Sequence, residues 1–381
     1  MAGNSKMPKV AIRADASLQI GSGHVMRCLT LAAALRDRGA ECHFICRELP
    51  GHIGELVLDR QFVLHTLPPC HEHTVHDVHD ASPRRLSHAD WLGCSWQEDA
   101  RQSAKILKAL EPDWLIVDHY AIDARWHAAV SPHYRRLMAI DDLADRPHLS
   151  DILLDQTFAR DPDDYANCVP DNCLLFCGSR YALLRPEFAA LREQSLQRRK
   201  DSAGIRHLMV TMGGVDKDNV TVQVLDALAD SDLPLDCEIT IVMGMTAPWL
   251  DDVRARAASL PWPTRVLVNV QDMADIMAGA DLCIGAAGST AWERCALGLP
   301  TIMVITAANQ AGIAAALQGS GAALCAGPFD NPKFCVQLQA GLAHFLDDPQ
   351  ALNDASAAAA DVTDGTGVEI VCNALLEEAT R

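Results

Sequence analysis

Short apolar runs recur along the chain, separated by longer stretches whose apolar residues return with helical period. VAIRA at 10–14, CHFIC at 42–46, WLIVD at 114–118, LMAID at 137–141 and ILLDQ at 152–156 form a first series. HLMVT at 207–211, ITIVM at 239–243, RVLV at 265–268, LCIG at 282–285 and TIMVI at 301–305 form a second. Apolar runs that do not alternate with polar residues are strands covered on both faces, which predicts parallel sheets flanked by helices. After the first strand, Val25, Cys28, Leu29, Ala32 and Leu35 fall on one face of a helix that Gly39 stops.

Between the two series lies LREQSLQRRKDSAG at 191–204, polar and ending in glycine, which reads as a linker. The expectation is an α/β chain of two doubly wound Rossmann-type domains, 1–198 and 199–381, with an interdomain cleft. Ligands then sit at the carboxyl ends of the strands. One segment breaks the rhythm: 70–96 carries five of the 15 histidines. His71, His73, His76 and His79, with Asp77, Asp80 and Asp90 nearby, have metal-chelating spacings. A polar excursion between a strand and a helix explains the same composition, and no metal site is assigned.

Composition narrows the classes of partner. A formal net charge of −18 opposes a nucleic-acid partner, which needs a basic face. Small phosphorylated ligands stay open, because backbone N–H groups at helix starts hold them whatever the global charge. The 14 cysteines are scattered, many inside apolar runs, and no CxxC occurs, so free thiols in a reducing cytoplasm are expected. No apolar run is long enough to span a membrane and no signal-like segment opens the chain.

Candidate chemistry lies at the strand ends. Gly21-Ser22-Gly23 separates the first strand from its helix, and His24 follows directly. The spacing matches neither the dinucleotide fingerprint nor a Walker loop. A glycine turn there admits a ligand, and a histidine there suits proton transfer or merely caps the turn. Asp15 either faces the ligand or closes its loop. In the second half, Gly213-Gly214 follow a strand. The stretch 285–290, with Ala286, Gly288, Ser289 and Thr290, follows another and opens a helix. Glu293, one turn on, is placed for two ribose hydroxyls or for a capping box.

Two resemblances add to this reading. The segment 285–300 with TAANQAG at 306–312 resembles the donor-nucleotide half of the GT-B glycosyltransferases, as in the lipid-II-forming GlcNAc transferase. That resemblance implies that Glu293 holds a ribose and that Asn309 and Gln310 lie near the donor sugar. The stretches RADASLQIGSGHVMRCLTLA, DWLIVDHYAID, AIDDLADRPH, LLDQ, RYALLRPEF and VTMGGVDKDN together resemble the UDP-sugar hydrolases of pseudaminic acid biosynthesis. The histidine-rich insert is not part of that pattern.

The second resemblance implies a GT-B-like fold and cleavage of UDP-2,4-diacetamido-2,4,6-trideoxy-β-L-altropyranose to UDP and free sugar, without cofactor or metal. His24 is then the general base on water. Asp15, Gly21, Gly23, Arg27, His119, Tyr120, Arg180 and Tyr181 bind sugar, while Gly213, Gly214, Ala286, Gly288, Ser289, Thr290 and Glu293 bind UDP. The expected partners are the UDP-sugar and water, with no nucleic acid and no membrane, in a cytoplasmic monomer. A transferase using an acceptor alcohol, a non-catalytic nucleotide-sugar binder and a metal-binding regulator are the alternatives.

Overall fold

The computed structural model describes residues 7–69, 86–200, 204–245 and 247–379. Contacts divide the chain into two units, 1–183 with 367–381, and 184–366. The first unit begins β1 (Lys9–Ala14), α1 (Gly23–Asp37), β2 (Glu41–Arg47), α2 (Gly54–Asp59) and β3 (Val63–Leu67). It continues with α3 (Trp96–Leu110), β4 (Trp114–Asp118), α4 (Ala124–Val130), β5 (Arg136–Ile140), β6 (Ile152–Asp155) and β7 (Leu174–Cys177).

Among the described residues its sheet has seven strands, all parallel, in the order β3-β2-β1-β4-β5-β6-β7. The order reverses between β1 and β4, where a crevice opens at the strand ends of such sheets. Ala14 pairs with Asp118 and Asp118 with Ile140, so the ends of β1, β4 and β5 are flush. One face of the sheet packs through Ile12, Phe44, Ile116 and Met138, the other through Ala11, Ile45, Leu115 and Leu137.

The second unit holds α5 (Pro186–Lys200), β8 (His207–Thr211), α6 (Val220–Ala229), β9 (Glu238–Met243), α7 (Leu250–Ala258), β10 (Thr264–Val268) and α8 (Met273–Gly279). After these come β11 (Leu282–Ala286), α9 (Thr290–Ala296), β12 (Thr301–Ile305), α10 (Ala311–Gly319), β13 (Leu324–Pro328), α11 (Phe334–Asp347) and α12 (Pro349–Val362). Six parallel strands run β10-β9-β8-β11-β12-β13, reversing between β8 and β11. Every strand expected from the apolar runs is present, and β3, β7 and β13 are added to them at the sheet edges.

The boundary differs from the expectation. The stretch 191–204 is largely helix α5, and its polar side chains have local partners in the second unit. Arg192 donates to the carbonyls of Ala296, Ala360 and Thr363. Arg199 donates to those of Leu297, Ala280 and Met277. These carbonyls lie at or near helix C-termini, where cations are favoured, so a linker-like composition belongs to a packed helix. The boundary therefore falls at 183/184 and not 198/199. The last helix, α13 (Gly367–Ala379), returns to the first unit, packing Val368, Val371, Cys372 and Leu375 into its core.

Candidate active site

The loop from β1 into α1 is closed on itself. Gly21 N donates to Ser17 O (2.8 Å), and the Ser17 hydroxyl accepts from Gln19 N and Ile20 N. Gly21 takes φ +80°, a conformation that disfavours any side chain. This loop sets His24 in the first turn of α1, 8% exposed.

His24 Nδ1 lies 2.6 Å from Asp118 Oδ1, at the end of the neighbouring strand β4. Arg27, one turn along α1, donates to the same carboxylate from Nε (2.7 Å) and Nη2 (2.8 Å), and from Nη1 to Asp142 (2.7 Å). Burial alone pushes the Asp118 pKa up, but Arg27 and His24 outweigh it and hold the carboxyl below the ordinary range. Asp118 is therefore ionised at neutral pH, and an ionised carboxylate only accepts. It fixes the proton on Nδ1, which leaves Nε2 of a neutral imidazole as a lone pair. Nε2 has no hydrogen-bond partner among the described residues. A histidine oriented by a buried carboxylate, with its other nitrogen unspent, is the arrangement of a general base.

Several residues expected to bind sugar hold this dyad in place. Tyr120 packs edge-on against the imidazole, ring centroids 4.6 Å apart, and its hydroxyl donates to Asp142 (2.7 Å). Arg27 is spent on Asp118 and Asp142. Asp15 is fully buried, and Arg13 and the Arg47 N–H donate to it. Its place is therefore inside an ion cluster and not against a ligand, because the adjacent buried arginines claim its charge. His119 Nδ1 accepts from Ala121 N, and Nε2 lies 3.2 Å from Asp15, so this side chain closes the β4–α4 turn. Gly21, Ser22 and Gly23 remain partly exposed beside His24. Arg180 and Tyr181 stand elsewhere, after β7, two strands beyond β5. Arg180 lies over the Tyr181 ring, which stacks on Phe176. Asp118 and Asp142 end strands or begin turns in DWLIVDHY and AIDD, but their ion pairing with Arg27 has no signal in local sequence.

The second unit brings its expected residues to its own switch point. Gly213 (φ +90°) and Gly214 follow β8, and Gly244 after β9 approaches so closely that a Cβ there would meet the Gly214 carbonyl at 2.0 Å. The loop with Ala286, Gly288 and Ser289 leads from β11 into α9, which begins at Thr290. Ser289 makes no capping hydrogen bond with its side chain. Glu293 makes no hydrogen bond or ion pair among the described residues, so it is not a capping-box carboxylate. Burial pushes its carboxyl up to about 7 against the opposing effect of Arg185 and Arg294, although part of the side chain meets solvent.

Arg294, missed in the sequence, braces this loop: it donates to the Ala286 carbonyl (2.8 Å) and the Thr290 hydroxyl (3.1 Å). Gln310 accepts from Thr306 N, and its amide nitrogen stands 3.7 Å from where a Gly288 Cβ would be, while Asn309 is exposed. Of the insert, 70–85 lie outside the described residues, and with them His71, His73, His76, His79, Asp77 and Asp80. No described helix is long and apolar enough to cross a membrane.

Residues 207–365 match the model of the glycosyltransferase family 28 C-terminal domain. The chain is 26% identical over 282 residues to the UDP-2,4-diacetamido-2,4,6-trideoxy-beta-L-altropyranose hydrolase of Campylobacter jejuni, covering 74% of this chain and 85% of that protein. An uncharacterized protein of Methanocaldococcus jannaschii is 24% identical over 300 residues, 78% of this chain; the chain spans 55% of that protein's length. The solved structure of MurG from Acinetobacter baumannii superposes with a TM-score of 0.69 at 16% identity, covering 98% of this chain and all of the other. The architecture is GT-B, and the chain resembles the C. jejuni hydrolase over most of its length.

Proposed function

We propose that the chain is a UDP-sugar-processing enzyme and that its reaction is hydrolysis at the anomeric carbon of UDP-2,4-diacetamido-2,4,6-trideoxy-β-L-altropyranose or a close relative. The observation that carries this reading is the His24–Asp118 pair with an unspent Nε2; the similarity to the C. jejuni hydrolase supplies the substrate class. Water attacks C1 as its proton passes to His24 Nε2. The bond from C1 to the β-phosphate oxygen breaks, and its electron pair leaves with UDP. Asp118 stabilises the imidazolium formed.

Glycosidases need a carboxylic acid to protonate a poor leaving group. A diphosphate leaves as an anion, and its charge needs only donors. The N–H groups after β8 and at 288–290 supply them, with Glu293 on the ribose and Asn309 and Gln310 towards the sugar. No divalent ion has a role in this scheme, so EDTA leaves turnover unchanged.

The test is incubation with the UDP-sugar in ¹⁸O-water without acceptor. UDP and free sugar appear in equal amounts and the label enters the sugar. His24→Asn loses about 10²–10⁴ in turnover and still binds UDP. Label in UDP, or UDP release only after an acceptor alcohol is added, overturns the reading.

A further inference from the structure

The part of the histidine-rich stretch that follows residue 85 ends against His24. A short helical turn, Ala89–Leu92, places Trp91 nearly parallel to Tyr120, with centroids 5.6 Å apart at 26°. His88 packs edge-on against Trp91 at 4.5 Å and lies tilted at 5.4 Å from Tyr120. His24 completes the cluster, 4.6 Å from Tyr120 and 6.4 Å from Trp91. Aromatic pairs at these separations attract one another beyond their area of contact.

The cluster holds unspent polar atoms. The Trp91 indole N–H and the His88 ring nitrogens have no hydrogen-bond partner among the described residues, and both side chains keep part of their surface in solvent. The remaining chemistry of Tyr120 is used up, since its hydroxyl is given to Asp142. Burial lowers the His88 pKa, with Arg146 and His24 adding to it against Asp145, so this imidazole is neutral at pH 7 and offers one donor and one acceptor. An indole donor, an imidazole acceptor and an aromatic wall beside one another complement a group with a carbonyl, an N–H and a methyl. An acetamido substituent has all three. A plain hydroxyl leaves the apolar wall unmatched, and a charged amine meets an indole that can only donate.

We propose that Trp91 and His88 form the pocket for an acetamido group of the sugar, with the indole N–H on its carbonyl and the His88 imidazole on its N–H. This deepens the proposed reaction and rests on it for the sugar's placement beside His24. The pair decides which sugars are accepted; the nucleotide contacts of the second unit do not.

The experiment compares wild type, Trp91→Phe and His88→Phe on the diacetamido substrate and on analogues with a hydroxyl replacing one acetamido group at a time. Trp91→Phe keeps a ring in the stack and removes the donor together with part of the aromatic wall, and His88→Phe keeps a ring and removes the acceptor. For the full substrate each variant raises KM on the order of tenfold, the effect of one unmade hydrogen bond. For one of the two analogues the variants and wild type are alike, and UDP affinity is unchanged in all. Equal KM values for variants and wild type on the full substrate overturn the proposal, as does an equal loss on both analogues. A second readout does not need turnover: free 2,4-diacetamido sugar is titrated against tryptophan fluorescence. A change present in wild type and absent in Trp91→Phe supports the pocket even where no UDP is released, which separates its failure from that of the hydrolase reading. No change in either protein sinks the pocket alone. If one variant fails to fold, the other decides the matter.

Discussion

At the scale of single residues, two carboxylates do opposite work because their surroundings differ. Asp118 is as buried as a side chain can be, yet Arg27 and His24 keep it ionised. Its value lies in the proton it holds on His24 Nδ1. Asp118→Asn presents an amide that can donate to Nδ1 and so move the ring proton to Nε2, leaving no base. Turnover then falls by about 10²–10⁴, while UDP affinity measured by calorimetry stays as it was; a loss below fivefold sinks the orienting role.

Glu293 is the other case: burial without a bonded cation pushes it up to about 7. A carboxyl raised above its unfolded value stabilises the fold at low pH, and that contribution is lost as pH rises through the folded pKa. Glu293→Gln therefore raises thermal stability at pH 8 by on the order of 1–3 kcal/mol and leaves it unchanged at pH 4. The same substitution weakens UDP binding, the trade expected of a side chain kept for a ligand. Equal melting temperatures at pH 8 remove the strain argument, and unchanged UDP affinity removes the ribose role.

At the scale of elements, Asp99 on α3 ties four of them together. It accepts from Arg13 of β1 (2.8 and 3.3 Å), Arg47 of β2 (2.6 Å) and the Trp126 indole of α4 (2.9 Å), all buried. Asp99→Ala takes from the Arg13 and Arg47 guanidinium groups the buried carboxylate they share and costs about 3–5 kcal/mol in denaturant unfolding. A cost below 1 kcal/mol shows that the cluster relaxes freely.

Most strands with continuous apolar runs were readable in the sequence because both their faces are covered; β10, a half-exposed edge, was readable from the RVLV run alone. The three that were not, β3, β7 and β13, are all sheet edges. VLHTL, LLFC and LCAGP there are mostly half-exposed, so burial never forced a pure apolar run. The site divides the same way. His24, Gly213-Gly214 and Ser289 to Glu293 were legible because glycine turns at strand ends mark them. The Arg27–Asp118–Asp142 pairing, Arg294 and the Trp91–His88 cluster join residues far apart in sequence, and only the sheet order brings them together. Asp15 misled because a strand-end aspartate reads alike whether it meets a ligand or a buried arginine.

At the scale of the whole chain, the first unit is built from both ends of the sequence and the second from the segment between them. The closing helix is part of the first unit's core. Val368, Val371, Cys372 and Leu375 are nearly fully buried there, and the Trp114 indole donates to the Leu375 carbonyl at 2.9 Å. Ending the chain after Thr366 exposes apolar surface worth about 1.5–3 kcal/mol for each large aliphatic side chain. It also strands a buried indole donor at a further cost of about 1–3 kcal/mol. Together these approach the whole stability of an ordinary domain, about 5–15 kcal/mol. The second unit keeps its own core, drawn from β8 to α12. Calorimetry of the truncated chain is therefore expected to lose one unfolding transition and keep another, with UDP binding retained and hydrolysis abolished. Retained hydrolysis would mean that α13 is dispensable to the first unit. Loss of UDP binding along with hydrolysis would mean that the second unit does not fold by itself.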